Sequence, residues 1–386
     1  MLSSFLSVLS GAYTPIRRHI LMKYCTLGRS GLAISKLALG TMYFGEETPE
    51  PEAFAIIDTF LEAGGTLIDT SDVYVGGQAE QIVGRWFASR PRDVTDQVVL
   101  ATKGRYPTGT DVNSQGLSRQ HLHRTLDSSL RHLNVEAIDL YQLHATDPLT
   151  PVEETLSFLD DAVRAGKIHY VGLSNFNGWE IQRIVSTAQA MGVTVPISHQ
   201  PQYNLLSREI EWEIVPAAIH NGLGLLPWSP LAGGLLTGKY RRDTTPEPNT
   251  RGGSDNPLYQ WSTAEFVGTD RAWATIDAVR EIASEMAATP SQVALAWLMG
   301  QPGIAAPICG ARTVAHIKDN LGSVDLTLDK AATSRLEKLS LPRPEKTYPY
   351  GSFGNAMRTR FVDKAEHPVG KVVGEGSSDP LSGKPI

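Results

Sequence analysis

From residue 35 onward, short apolar runs alternate with amphipathic stretches along most of the chain. Ser35–Leu39, Thr66–Asp69, Val98–Thr102, Ile138–Leu143, Ile168–Leu173, Val195–His199, Leu223–Leu226 and Ala305–Ile308 read as strands. Between them, apolar residues recur at helical spacing. Pro51–Ala63 carries Phe54, Ile57 and Leu61, and Gln78–Ala88 carries Ile82, Trp86 and Phe87. Ser118–Leu133 presents Leu122, Leu126 and Leu130 behind a Ser118 N-cap, Pro151–Ala165 stops at Gly166, and Asn177–Ala190 follows. Strict strand–helix alternation implies parallel strands joined by right-handed crossovers. Eight such units predict an α/β fold, a (β/α)8 TIM barrel. No Gly-x-Gly-x-x-Gly follows the first strand, which argues against a doubly wound sheet.

Two segments break the rhythm. Leu235–Thr269, rich in Gly, Pro, Thr, Asp and Asn, makes a long loop after strand seven. Loops of this length are commonly functional or disordered, and this one is expected to fold over a bound cofactor. Residues 345–386 read as an irregular tail, and residues 22–344 as the barrel domain. Residues 1–21 hold Arg17, Arg18 and a short apolar stretch without an acidic residue, a mild likeness to a transit peptide. The expectation is an extension outside the domain, or a start at Met22.

Composition narrows the classes. With 386 residues, 41% hydrophobic, the chain can bury one large core. A formal charge of −6 without a Lys/Arg cluster argues against nucleic acid. Two cysteines, Cys25 and Cys309, cannot build a disulfide framework, so the cytoplasm is the expected location, with mitochondria the alternative that residues 1–21 keep open. No apolar run approaches the ~20 residues of a membrane span. His121 and His123 do not share a helix face, so no metal is expected, and Glu153, Glu154, Asp160 and Asp161 read as solvated helix charges.

Chemistry gathers at the strand ends. Asp69 closes the second run, Tyr74 follows in its loop, Lys103 closes the third and His144 the fourth. Side chains at that rim of a barrel converge on one pocket. A phenol beside an ammonium, a carboxylate and an imidazole makes a proton-donating group, with the phenol as the acid.

The motifs around these residues carry a resemblance. Gly64-Gly-Thr-Leu-Ile-Asp-Thr-Ser-Asp-Val-Tyr74, Val99-Leu-Ala-Thr-Lys103, Ile138-Asp-Leu-Tyr-Gln-Leu-His144 and Gly166-Lys-Ile-His-Tyr-Val-Gly-Leu-Ser-Asn-Phe176 resemble, in order, motifs of the aldo-keto reductases. Pro227-Trp-Ser-Pro-Leu-Ala-Gly-Gly-Leu-Leu-Thr-Gly-Lys-Tyr240 resembles the bacterial, plant and potassium-channel β-subunit branch. The resemblance implies reduction of an aldehyde or ketone to an alcohol, or the reverse, with Tyr74 as proton donor. Lys103 would lower the phenol's pKa, Asp69 would hold Lys103, and His144 would orient the carbonyl.

It also implies an NADPH site. Ser174, Asn175 and Gln200 match positions that bind the nicotinamide carboxamide, and Trp228 the aromatic that stacks on its ring. Ser229, Leu231, Gly233 and Lys239 would lie along the pyrophosphate. Gly310, Arg312, His316, Asp319 and Asn320 resemble the adenosine end, with Arg312 on the 2′-phosphate and the eighth helix N-terminus favouring anions. His316 stands where the family more often has Gln. Lys239, Arg251 and Arg312 together favour NADPH/NADP+ over NADH. The expected partner is a small-molecule carbonyl or alcohol. Tyr43, Phe44, Tyr106, Trp261 and Tyr350 offer aromatic walls for a bulky cyclic ketone, keto-sugar or natural product. The alternative is a non-catalytic, NADPH-sensing regulatory subunit of the channel type. Oligomeric state stays open.

Overall fold

Eight short parallel strands curl into one sheet, in the spatial order β10-β3-β4-β5-β6-β7-β8-β9. They are β3 (Ala38–Gly40), β4 (Leu67–Asp69), β5 (Val99–Gly104), β6 (Ile138–Leu143), β7 (Ile168–Ser174), β8 (Ser198–Gln200), β9 (Gly224–Leu225) and β10 (Ile308–Gly310). Backbone bonds just ahead of β10 join the two ends: Leu225 N–H donates to Gly303 O, Ala305 N–H to Leu225 O and Ile308 N–H to Pro227 O, each within 2.9 Å. The computed structural model describes residues 22–242, 244, 246–247, 250–254 and 269–342. Expectations for residues 1–21, Trp261, Tyr350, the tail and most of the long loop lie outside them.

Helices follow the strands and pack outside. They are α1 (Glu50–Glu62), α2 (Gln78–Ser89), α3 (Arg92–Thr95), α4 (Arg119–Leu133), α5 (Val152–Arg164), α6 (Gly178–Met191) and α7 (Ile214–Asn221). Then come α8 (Asp270–Glu285), α9 (Pro290–Met299), α10 (Val314–Leu321) and α11 (Lys330–Ser340). Local chemistry sets their ends. Ser118 accepts from His121 N–H to start α4, and Asn177 and Thr289 form capping boxes with Glu180 and Gln292. Gly192, left-handed at φ 67°, stops α6.

Three strand positions differ from the sequence reading for one reason. Pairing of β8 begins at Ser198 because Pro196 has no N–H to give. Pro227 ends β9, and Pro307 separates the apolar Ala305–Ala306 from β10. The run Ser35–Leu39 is divided: Ser35 ends an antiparallel hairpin, β1 (Tyr24–Thr26) with β2 (Ala33–Ser35), absent from the sequence reading. That hairpin floors the barrel. Its Leu27 and Ile34 pack with Ala38, Leu67, Val99, Leu140 and Ile308 in one buried cluster. Asp160 is also corrected. It is buried and accepts from Thr194 N–H and Oγ1, tying α5 to the approach of β8.

The two-residue period of a strand explains the site. Leu67, Val99, Ala101 and Leu140 face inward as an apolar layer. Two residues further along the same strands stand Asp69, Lys103 and Gln142, with His144 beyond Gln142. The polar layer sits at the C-terminal rim because the strands end there.

Candidate active site

Lys103 is fully buried, yet its ammonium is satisfied. Nζ donates to Asp69 Oδ2 at 2.5 Å, to Thr70 O at 2.8 Å and to the Tyr74 hydroxyl at 3.0 Å. An ammonium has three protons, and all three are used. Asp69 is fixed in turn, its Oδ1 accepting from Gln142 Nε2 at 2.9 Å and Gln200 Nε2 at 3.0 Å. Burial alone would depress the Lys103 pKa, but Asp69 and Tyr74 beside it leave the pKa raised, so the cation persists.

The phenol differs from the sequence expectation. Lys103 does pull its pKa down, but burial pushes harder, and the Tyr74 pKa is raised. Tyr74 is therefore a protonated donor through neutral pH. His144 stands beside it, ring centroids 6.0 Å apart, with the Tyr106 ring also edge-on to it at 4.6 Å. Burial, with Lys103 and Arg105 nearby, holds the imidazole pKa well below its ordinary range, so His144 is neutral. Its Nδ1 lies 3.1 Å from Ser71 Oγ. Among the described residues its Nε2 has no partner.

Sequence reading missed Gln142 and Ser71. Gln142 leaves a trace: it is a lone polar side chain facing inward in an apolar strand. Ser71 leaves none. Phe44 is also relocated. It is fully buried in the main core with Leu39, Ile57 and Trp86, not on a pocket wall.

The cofactor candidates form two groups. Asn175 Nδ2 donates to His144 O and Ser174 Oγ, its Oδ1 accepts from Trp228 Nε1, and Ser174 Oγ donates to Gln200 O. These residues are brought together, but their polar atoms are largely engaged with one another. Ser229 to Gly234 form a tight turn with Ser229, Ala232, Gly233 and Gly234 at positive φ. A side chain at Gly234 would meet Lys239 Nζ at 3.0 Å, so glycine is what allows that ammonium over the turn. Leu231 packs partly buried against the core beside it.

The second group is cationic. Burial and the neighbouring Arg312 and Arg251 together hold the Lys239 pKa down, and partial desolvation, then Arg312 and Lys239, do the same for the largely open His316. The Arg251 guanidinium lies 4.6 Å over the Tyr43 ring, and Gly310 is tight against that ring. Arg312 pairs with Glu47 at 3.3 Å. The N-terminal amides of α10, the helix after the eighth barrel strand, are less open than expected. Val314 N–H donates to Glu52 Oε1 at 2.7 Å, and His316 N–H to Thr313 Oγ1. Asp319 accepts from Gln292, and Asn320 is buried, which leaves His316 exposed among the adenine candidates. An anion here would meet side-chain cations before helix amides.

Ordered motifs on the strand ends of a barrel are matched by comparison. The sequence model of the Aldo/keto reductase family matches residues 36–341. The chain belongs to the aldo/keto reductase family. An uncharacterized oxidoreductase of Bacillus subtilis (strain 168), YrpG, is 37% identical, covering 80% of this chain and 93% of its own. A probable voltage-gated potassium channel subunit beta of Oryza sativa subsp. japonica is 33% identical, over 85% of this chain and all of its own. Versiconal hemiacetal acetate reductase of Aspergillus parasiticus is 33% identical, over 83% and 98%. This aldo/keto reductase has no described helix long and apolar enough to cross a membrane.

Proposed function

We propose that the chain reduces an aldehyde or ketone to an alcohol with NADPH, or runs the reverse oxidation. The observation that carries this reading is the Lys103 ammonium held by Asp69 and Thr70 with its third proton on the Tyr74 oxygen. That bond leaves Tyr74's own proton to be given to an oxygen in the mouth. His144, neutral, offers Nε2 to the same oxygen, so two donors stabilise the alkoxide as negative charge develops. The nicotinamide, when bound, supplies the hydride. Ser174, Asn175, Gln200 and Trp228 would hold its ring end, and the turn from Ser229 with Lys239 its pyrophosphate. Lys239, Arg251 and Arg312 fit a 2′-phosphate by charge.

NADPH oxidation with a panel of aldehydes and ketones tests the reading. Turnover many times the enzyme concentration supports it. Oxidation that stops at stoichiometric amounts with every carbonyl refutes it and favours the sensing subunit. Tyr106 supplies an aromatic surface against His144, which favours planar or cyclic carbonyls.

Cofactor choice is separately measurable by fluorescence titration. NADPH is expected to bind much more tightly than NADH. Arg312→Ala is expected to narrow that gap by about tenfold or more, since a charge-assisted phosphate contact contributes roughly 1.5–3 kcal/mol. Equal affinities in the unmodified protein would refute the NADPH assignment.

A further inference from the structure

A single hydroxyl proton in this site has two claimants. Ser71 Oγ lies 3.1 Å from His144 Nδ1 and 3.2 Å from Asp72 Oδ1. Ser71 is fully buried, so these two groups compete for its proton inside the protein. Were Ser71 to donate to Asp72, His144 would have to carry its proton on Nδ1 to donate to Ser71. Nε2 would then be bare toward the mouth. Were Ser71 to donate to Nδ1, the imidazole proton would sit on Nε2, and Asp72 would have to supply a proton of its own to Ser71.

Asp72's surroundings select the second arrangement. It is buried, and among the described residues its Oδ2 has no hydrogen-bond partner; Ser71 and the Val73 amide favour the carboxylate, but burial and Glu80 outweigh them. A carboxylate with an orphaned buried oxygen is costly, whereas a protonated acid is much less so. From α2, buried Glu80 faces it, itself held by Thr102 Oγ1 and by His132 of α4. From β6, Tyr141 is buried nearby with its hydroxyl turned to Thr125. Tyr74, in the same loop, also senses it. From β5 comes the one close cation among the described residues, Lys103, whose three protons are already committed to other acceptors.

We propose that protonated Asp72 and Ser71 are positioning residues that fix the proton of His144 on Nε2, where it can be donated to a substrate carbonyl. The proton line is Asp72 O–H to Ser71 Oγ, and Ser71 O–H to His144 Nδ1. When Asp72 loses its proton to solvent, Ser71 turns to the carboxylate. The imidazole proton is then exchanged from Nε2 to Nδ1, with one proton released in all. In that state Nε2 accepts a hydrogen bond from an alcohol but gives none to a carbonyl. The change is expected near the pH at which Asp72 titrates, which burial, and then Glu80, push up to about 8. The effect on turnover rests on the carbonyl-reductase reading, whereas the tautomer does not.

The test is the ¹⁵N spectrum of the full chain labelled at histidine, with His144 assigned by its loss in His144→Asn. Below about pH 8 the wild type is expected to show Nε2–H, and well above it Nδ1–H. Asp72→Asn, whose amide donates to Ser71 at any pH, is expected to keep Nε2–H throughout. Ser71→Ala, which removes only the hydroxyl, is expected to lose the preference. In steady-state reduction, kcat/KM of the wild type is expected to fall about tenfold across the transition, the worth of one hydrogen bond, and Asp72→Asn to stay level. An Nδ1–H signal at neutral pH, or one pH response shared by wild type, Asp72→Asn and Ser71→Ala, overturns the proposal. The expected spectra in a protein that reduces no carbonyl would uphold the tautomer relay and reject the reductase reading.

Discussion

Tyr74→Phe is expected to lower turnover on the order of a hundredfold or more while leaving cofactor affinity near that of the wild type. The substitution removes one oxygen. That oxygen accepts from Lys103 at 3.0 Å and carries the proton offered beside His144 at the mouth. The ring remains, with its packing against the core and the 4.7 Å contact of Lys103 over its face. Direction matters to the pH profile. Burial raises the phenol's pKa against the pull of Lys103, so the protonated form needed for reduction persists into alkaline solution. Oxidation needs the phenolate and should gain rate as pH rises through that same titration. Near-normal turnover in Tyr74→Phe, with a carbonyl that the wild type reduces, would remove Tyr74 from the chemistry.

Lys103→Met is expected to cost roughly 3–5 kcal/mol of stability, because it leaves a buried carboxylate without its cation. Asp69 would keep its bonds to Gln142 and Gln200, but Oδ2 would lose its one hydrogen-bond partner among the described residues, Lys103. Removing both charges tells a different story. Lys103→Met with Asp69→Leu is expected to recover much of that loss, since well-packed apolar pairs replace buried ion pairs at little cost. Activity should not return, for nothing then holds the Tyr74 hydroxyl. Thermal unfolding of both single variants and the double variant measures the coupling. A double variant no more stable than Lys103→Met would mean that the pair is not a closed electrostatic unit.

The barrel was legible because apolar runs alternate with helical spacing, and several runs end where an inward-facing residue turns polar, as at Asp69, Lys103 and Gln142–His144. What escaped had no periodic signature. The hairpin strands are three residues each, too short to alternate visibly. Prolines 196, 227 and 307 shifted the last strands, because apolarity marks burial whereas pairing needs an N–H. Phe44 reads like any aromatic after a strand, yet its loop folds back, Phe44 N–H to Thr41 O, and carries the ring into the core. Ser71 matters only through its distance to two residues, one adjacent and one 73 positions on. The sign of the Tyr74 shift likewise depends on depth of burial, which spacing does not report.

The hairpin under the barrel ties the order of synthesis to the order of folding. Cys25 Sγ donates to Ala305 O and Lys36 Nζ to Ile304 O, and Leu27 and Ile34 share a cluster with Ala305, Ala306 and Ile308. The first described strands are seated on residues made some 280 positions later. Until those emerge, the lower ends of β4, β5 and β6 stand open and their apolar layer is wet. Contacts of such long span form slowly, and apolar surface left open meanwhile invites association between chains.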